Sequence, residues 1–224
     1  PIASPITSPT SVCAGATIQL FSATPAGAWY SSNESIATVH IDSGYVTGVS
    51  AGVVTISYRH NTTCGIVMVT RTFTVNPSSV TVPAISGAAT VCVGATTTLT
   101  NGLAGGTWSS SSYPVKLTIN STTGVVTGVA AGTAVVTYTV PHECGVSYVT
   151  RVMTVNPLPT VSPISGTMSI CVGWTITATN ATAGGVWSSS NPSSATVSSS
   201  GIITGVAGGM PVISYSVTNG CDTI

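Results

Sequence analysis

A period of 79 residues is the feature that most constrains the fold of this chain. Two uncommon residue types recur at this spacing: Cys13, Cys92 and Cys171, and Trp29, Trp108 and Trp187. One phrase also returns three times, as "GYVTGVSAGVVTISY" from residue 44, "GVVTGVAAGTAVVTY" from 124 and "GIITGVAGGMPVISY" from 201. Such repetition is typical of small units in tandem. We divide the chain into repeat 1 (1–78), repeat 2 (79–157) and repeat 3 (158–224).

Each repeat reads as a series of short strands. In repeat 2 the strand-like segments are 95–100, 106–111, 115–120, 124–129, 134–140 and 148–155. They are rich in β-branched residues, and Gly, Pro, Asn and Ser separate them. No window has a helical apolar period. The sequence predicts an all-β chain of three tandem β-sandwiches of about 79 residues each.

The glycines of the repeated phrase are turn and strand-end residues in this interpretation. Gly124 closes one strand pair, Gly128 bends or ends the next strand, and Gly132 begins another. A phosphate-binding loop would need a Lys-Ser/Thr pair and a following helix, and neither is predicted here. The phrase therefore indicates architecture and not nucleotide chemistry.

The chain is almost without charge. Four basic and four acidic residues give a net charge of zero, so nucleic acid is not an expected partner. No apolar run reaches the roughly 18 to 20 residues of a membrane span. A surface with little net charge favours association. We therefore expect either a glycan coat or packing against other copies.

The ends of the repeats resemble a known family. The runs "LTINSTTGVVTGVAAGTAVVTYTV" and "SSATVSSSGIITGVAGGMPVISYSV" are similar to the signature of bacterial immunoglobulin-like (Ig-like) domains of group 2. The resemblance implies Ig-like sandwiches of secreted or cell-surface proteins, without catalysis. It implies a structural module of an extracellular fibre, filament or cell-surface stalk that assembles end to end. A glycan-binding adhesin and a spacer region of a large secreted enzyme are the alternatives.

The six cysteines are interpreted as disulfides. Six cysteines allow 15 pairings, but if each repeat solves the same problem alike, the predicted pairs are Cys13–Cys64, Cys92–Cys144 and Cys171–Cys221. Linkages between neighbouring repeats or chains are the alternative. No Cys-x-x-Cys or nearby histidine supports a zinc site. Disulfides imply an extracellular, oxidising setting.

The three tryptophans are predicted to lie in the cores beside these disulfides: Trp29, Trp108 and Trp187. A domain of this size buries roughly 60% of its extended-chain surface, which is marginal for stability. A cross-link in each repeat would therefore add a large share of the stability.

No repeated catalytic or metal-binding set is found. The histidines and acids in question are His40, His60, His142, Glu34, Asp42 and Glu143. The histidines do not occupy matching positions with Ser and Asp partners, the two glutamates lie in unrelated contexts, and Asp42 is interpreted as a turn residue. We expect no enzymatic activity, no cofactor and no metal.

Three residues are candidate contacts. Arg71 and Arg151 occupy matching places on the last strand of their repeats, where a solvent face or a protected edge is expected and a contact between subunits is the alternative. Trp174 stands where the other repeats have Ala16 and Ala95. Edge packing, a contact between domains or subunits, and sugar stacking are its interpretations.

Several side chains are candidate glycosylation sites. The acceptor pattern for N-linked sugar occurs at Asn33, Asn61, Asn120 and Asn180. Thr223 is a candidate for O-linked sugar.

Repeat 3 is expected to lack its final strand. It has no counterpart of "YVTRVMTVNPL", which spans 148–158 in repeat 2. A sandwich without this strand exposes a groove and unpaired backbone groups. Either a continuing chain or a strand from a neighbour would fill it. The expected partners are copies of this chain or further Ig-like repeats, head to tail.

Overall fold

The structure is a computed structural model that describes residues 3–7 and 9–224. All regular elements in this part of the chain are β-strands, which confirms the all-β prediction. The chain forms two compact units. Unit 1 comprises Pro1–Ile85, Asn101–Trp108 and Thr137–Thr150, and unit 2 comprises Ser86–Thr100, Ser109–Val136 and Arg151–Ile224. The boundaries of the three predicted domains stay a prediction, and "repeat" continues to denote a stretch of sequence.

Repeat 1 contains two sheets. Its strands are β1 (Ser11–Cys13), β2 (Thr17–Gln19), β3 (Ala28–Ser31), β4 (Ala37–Val39), β5 (Tyr45–Gly48), β6 (Gly52–Thr62) and β7 (Gly65–Asn76). The first sheet has the order β1-β7-β6-β3 and the second the order β2-β5-β4. The hairpin of β6 and β7 is the longest element, since its strands have 11 and 12 residues.

Repeat 2 has the same element order. Its strands are β8 (Thr90–Cys92), β9 (Thr96–Thr98), β10 (Thr107–Ser110), β11 (Leu117–Ile119), β12 (Val125–Gly128), β13 (Gly132–His142) and β14 (Gly145–Asn156). The sheet orders are β10-β13-β14-β8 and β11-β12-β9. The six segments predicted from sequence all contain strands, and β12 ends at Gly128 as expected.

Repeat 3 has fewer strands. They are β15 (Thr175–Thr177), β16 (Val186–Ser189), β17 (Ala195–Val197), β18 (Ile202–Gly205) and β19 (Ile213–Ser216). One sheet has the usual three strands, β15-β18-β17, but the other has only β16 and β19. In repeat 1 the strand β7 lies beside β6. In repeat 3, β19 corresponds to β6, and it pairs only with β16, so the place of β7 is empty.

The sequence did not predict the short strands β1 and β8. Each has three residues, ends at the first cysteine of its repeat, and pairs in parallel with the last residues of the long hairpin. Cys13 is opposite Asn76, and Cys92 is opposite Asn156. A parallel partner more than 60 residues away leaves no local signal in a three-residue segment, because parallel strands are joined by long connections.

The core of repeat 1 follows from strand alternation. On β6, Val54, Ile56 and Tyr58 point inward, and on β7 Phe73 and Val75 meet them from the neighbouring strand. Alternate residues of a strand face the same side of a sheet, which is why the buried set has a period of two. The burial of the predicted core tryptophans depends on the number of strands in their sheet. Trp29 and Trp108 lie in four-stranded sheets and are buried, whereas Trp187 lies in a two-stranded sheet and is only half-buried.

A tyrosine fixes each tryptophan by the same contacts. In repeat 1 the Tyr58 hydroxyl accepts a hydrogen bond from the Gly27 N–H (2.8 Å) and donates one to the Thr24 carbonyl (2.5 Å). The ring centroids of Tyr58 and Trp29 are 4.7 Å apart. The same glycine, tyrosine and tryptophan contacts occur in the other repeats, at Gly106, Tyr138 and Trp108 and at Gly185, Tyr215 and Trp187.

Candidate functional site: disulfides between repeats

The disulfides join consecutive repeats. Cys13 bonds to Cys144 and Cys92 bonds to Cys221, with Cα–Cα distances of 5.7 and 5.6 Å. Cys64 and Cys171 are free thiols and are exposed. The predicted pairs Cys13–Cys64, Cys92–Cys144 and Cys171–Cys221 are therefore wrong. The first cysteine of one repeat bonds to the second cysteine of the next repeat.

The length of the hairpin explains why a repeat cannot close its own disulfide. Cys13 lies opposite Asn76, at the end of β7, whereas Cys64 lies in the turn before β7 begins. A strand rises about 3.3 Å per residue, so these two ends are roughly 35 Å apart. A disulfide needs Cα atoms within about 7 Å. In repeats 1 and 2 the two cysteines thus lie at opposite ends of a long hairpin.

The hairpin of repeat 2 brings Cys144 to the end of repeat 1. Cys144 lies in the two-residue turn between β13 and β14, and its Sγ is 3.8 Å from the Asn76 carbonyl oxygen. The Val80 N–H donates to Ser147 Oγ at 3.0 Å, and this buried hydroxyl also lies 3.2 Å from His142 Nε2. The turn is therefore held by hydrogen bonds as well as by the disulfide.

Repeat 3 approaches repeat 2 in the same way with different side chains. The Sγ of Cys221 lies 4.0 Å from the Asn156 carbonyl oxygen. Asn219 donates from Nδ2 to the Pro157 carbonyl (3.0 Å) and accepts from the Cys221 N–H (2.8 Å). Asn219 therefore holds the Cys221 turn against the last residue of repeat 2, whereas Ser147 and His142 hold the Cys144 turn against Val80 at the start of repeat 2.

The second glycine of the repeated phrase positions the first cysteine. The Gly15 N–H donates to the Gly48 carbonyl at 2.8 Å. A β-carbon on Gly48 would lie 2.7 Å from the Cys13 carbonyl oxygen and 2.9 Å from Val75 Cγ1. Both distances are shorter than the contacts that β-carbons make with non-bonded atoms in proteins. Gly128 and Gly205 make the matching approaches to Cys92 and Cys171. This role was missed from sequence, where Gly128 was interpreted only as a strand end.

Repeat 3 carries an open apolar groove where the other repeats have a core. The groove has a volume of about 630 Å³, and Ile170, Ile203, Gly205 and Ile213 contribute to its lining. Ile213 is half-buried, whereas Ile56, at the same position of the phrase, is completely buried against β7. The groove thus corresponds to the space that Phe73 and Val75 fill in repeat 1.

Trp174 lies on the surface beside the free Cys171. Its side chain is 72% exposed. The backbone N–H of Trp174 donates to the Cys171 carbonyl at 3.1 Å. Of the interpretations given from sequence, packing into an edge of its own sandwich does not fit this exposure. A contact surface at Trp174 stays a prediction.

The two candidate arginines are half-buried on their strands. Arg71 donates from Nη1 to the Ile6 carbonyl at 2.8 Å. This hydrogen bond within unit 1 ties the N-terminal segment to β7. A subunit contact at Arg71 or Arg151 stays a prediction.

The candidate glycosylation sites differ in accessibility. Asn33, Asn61 and Asn120 are exposed, and the first and third accept hydrogen bonds through Oδ1 from backbone N–H groups that follow them. Asn180 is half-buried, and its Nδ2 donates to the Ser162 carbonyl at 2.5 Å. Thr223 is exposed and its hydroxyl lies 2.7 Å from that of Thr218.

The remaining polar candidates are turn and backbone partners. His40 accepts from the Ser43 N–H at 3.3 Å, and His60 Nδ1 lies 3.4 Å from the Ala26 carbonyl. Glu34, Asp42 and Glu143 are exposed. No group of three metal-ligating side chains occurs within residues 3–7 and 9–224.

These features define the chain as an all-β protein of small β-sandwiches whose repeats are cross-linked by disulfides. Residues 6–65 match the bacterial Ig-like domain (group 2) family. This match confirms for repeat 1 the resemblance that the shared phrase gives to all three repeats. A comparison with curated protein sequences found no match.

Solved structures that are similar to this chain include a protocadherin, an intimin fragment and a polysaccharide-binding surface protein. Mouse protocadherin-24 EC1-3 covers 90% of this chain and 84% of its own, at 11% identity and a TM-score of 0.43. A second similar structure is a fragment of intimin in complex with the intimin-binding domain of its translocated receptor. The alignment covers 76% of this chain and 68% of the intimin fragment, with 15% identity and a TM-score of 0.38. A third is a SusE-like surface-located polysaccharide-binding protein of Bacteroides thetaiotaomicron. The alignment covers 70% of this chain and 34% of that protein, with 16% identity and a TM-score of 0.31.

The bacterial Ig-like domain and the disulfides indicate an extracellular or cell-surface location, because disulfides persist in oxidising compartments. Within the described residues, no helix is suited to crossing a membrane.

Proposed function

We propose that this chain is a non-catalytic structural module of an extracellular bacterial fibre, filament or cell-surface stalk. The observation that supports this proposal is the pairing of the cysteines, because each disulfide joins one repeat to the next. A disulfide inside a domain stabilises that domain alone. A disulfide between repeats adds a second covalent connection beside the peptide linker, and this connection limits how far neighbouring repeats can separate when an array is pulled.

The two disulfides also overlap along the sequence, since Cys92 lies between Cys13 and Cys144. The shortest covalent path from Cys13 to Cys221 crosses to Cys144, returns along the backbone to Cys92, and crosses again. This path contains about 50 residues, whereas the backbone alone contains about 200. Tension would therefore reach only about a quarter of the residues between Cys13 and Cys221.

The surface is compatible with packing against similar molecules. Its net charge is zero, and exposed apolar side chains such as Trp174 and Met210 lie on repeat 3. The partners in this proposal are copies of the chain or further Ig-like repeats, including a strand donated to the groove of repeat 3. Sugar on exposed Asn33, Asn61 or Asn120 would shield the rest of the surface.

The proposal assigns no reaction, cofactor or metal to the chain. His40 and His142 serve as hydrogen-bond partners of turns.

Immunoelectron microscopy tests this function. Antibodies against the chain are applied to intact cells and to material sheared from them. We expect label along fibres or stalks outside the cell, with the preimmune serum as control. Label restricted to the cell interior, or only isolated particles in the sheared material, would contradict the proposal.

A glycan-binding adhesin is the second candidate, and the exposure of Trp174 favours it. An exposed indole ring can stack on a sugar face. Glycan-array binding that disappears in Trp174→Ala but persists in Tyr113→Ala, which removes another exposed aromatic ring, would support this function. An array without binding would leave the structural function.

A further inference from the structure

We propose that Cys64 and Cys171 are two halves of one further inter-repeat disulfide, and that Cys171 of one copy of this chain bonds to Cys64 of the next copy. This inference rests on the proposed function, because it supplies the covalent joint between modules. The partner that each thiol requires is the complementary cysteine of another Ig-like repeat of this type, and a second copy provides it.

Cys64 has the position of the hairpin cysteine in an established joint. It occupies the second residue of the turn between β6 and β7, just as Cys144 occupies the second residue of the turn between β13 and β14. The flanking strands have the same lengths in both hairpins, 11 and 12 residues. Cys144 is bonded and Cys64 is a free, exposed thiol. The same projecting turn is therefore present in repeat 1, with its thiol unbonded.

Cys171 has the turn that follows the receiving cysteine, although residues 169–171 form no strand like β1 and β8. In the two established joints the residue three positions after the cysteine donates to the cysteine carbonyl, from Ala16 to Cys13 at 2.9 Å and from Ala95 to Cys92 at 3.0 Å. The Trp174 N–H donates to the Cys171 carbonyl in the same way at 3.1 Å.

The glycine contact that holds this turn is also formed. Gly173 donates to the Gly205 carbonyl at 2.9 Å, which matches the bond from Gly15 to Gly48 at 2.8 Å. The turn that presents Cys13 and Cys92 for bonding is thus preformed at Cys171.

The pairing rule determines which cysteine each thiol accepts. In both disulfides the first cysteine of a repeat bonds to the second cysteine of the repeat that follows it. Cys171 is a first cysteine and Cys64 is a second cysteine, so they are complementary. Within one chain the repeat of Cys64 precedes that of Cys171, which is the wrong order. The order is correct when repeat 1 of another copy follows repeat 3.

The bond forms by thiol–disulfide exchange with a disulfide oxidant, for which oxidised glutathione is the probe. The Cys171 thiolate attacks one sulfur of the oxidant, forms a mixed disulfide and releases one glutathione thiolate. The Cys64 thiolate of the second copy attacks the Cys171 sulfur and releases the other. Two protein thiols lose two protons and two electrons, and one oxidised glutathione becomes two reduced molecules.

Complementary variants test the pairing. Cys64→Ser retains only the free Cys171, and Cys171→Ser retains only the free Cys64. Each is incubated in a glutathione redox buffer, alone and mixed, and analysed by non-reducing electrophoresis and mass spectrometry of the linked peptides. We expect monomers from each variant alone, a heterodimer as the main product of the mixture, and longer chains from the unaltered protein.

Two outcomes would overturn the inference. One is a mixture that stays monomeric although peptide mapping shows the Cys13–Cys144 and Cys92–Cys221 bonds intact. The protein is then correctly folded, and its Cys171 and Cys64 do not bond between copies. The other is equal dimer formation by a single variant through Cys64–Cys64 or Cys171–Cys171, because exposed thiols then oxidise without selection. If either outcome is found and the antibodies still label fibres on cells, the Cys171–Cys64 bond between copies is disproved and the proposed function is not.

Discussion

Cys144 is bonded to Cys13, which lies 131 residues before it, although Cys64 is the second cysteine of Cys13's own repeat. The reason is the long hairpin, whose turn lies at the far end from the strand that carries the first cysteine. The turn of one repeat therefore reaches the end of the preceding repeat. Unit 1 accordingly contains residues 137–150 of repeat 2 together with all of repeat 1.

Removal of the Cys13–Cys144 bond should destabilise unit 1. The double variant Cys13→Ser/Cys144→Ser opens a loop of 131 residues, and the chain-entropy model gives a loss of up to about 5 kcal/mol in the free energy of unfolding. Denaturant unfolding at equilibrium measures this loss. Cys64→Ser is the matched control, because it removes a thiol without a bond. Equal unfolding curves for the two variants would argue against a structural role for the bond.

The overlapping disulfides should limit the extension of the chain under force. With attachment points just outside Cys13 and Cys221, the oxidised protein should extend to about 180 Å at most, because only about 50 residues lie on the shortest covalent path. The reduced protein should reach about 700 Å. Single-molecule force spectroscopy measures both lengths. A long extension without reductant would show that the two bonds are not both present.

Gly27→Ala should destabilise repeat 1. The added β-carbon would lie 2.6 Å from Tyr58 Cε1 and 2.7 Å from the Arg59 carbonyl oxygen, so that the tyrosine ring would have to move. Overpacking of this kind costs about 1–3 kcal/mol. Thermal unfolding measures the change, and Gly102→Ala is the control because the nearest atom there is 3.8 Å away. Similar melting curves for both variants would show that Tyr58 adjusts without cost.

The groove of repeat 3 should bind a strand with the pattern of β14. A peptide with the sequence of residues 148–157 carries Met153 and Val155, which are buried on β14 as Phe73 and Val75 are on β7. It should reduce amide hydrogen exchange in β19, because the open edge of that strand would become paired. A peptide with Asp at both apolar positions is the control. Equal protection by both peptides, or by neither, would contradict strand binding.

The strands were predictable because their signals are local. Alternation along "AVVTYTV" and the turn residues around Gly124 specify strand and turn without reference to distant parts of the chain. Strands β1 and β8 were missed because three residues and a distant parallel partner leave no such pattern. The glycine before each core tryptophan was also missed, since only the position of Tyr58 shows why Gly27 cannot bear a side chain.

The sequence by itself determined the period, the all-β class, the family resemblance of repeat 1 and the presence of cysteines at two places in each repeat, because each depends on residue type and short spacing. Only the tertiary structure decided which cysteines meet. Pairing within repeats and pairing between successive repeats have the same periodicity, and they differ only in the direction in which each hairpin points. The length of β6 and β7 places Cys64 about 35 Å from Cys13, and that distance excludes a bond within the repeat.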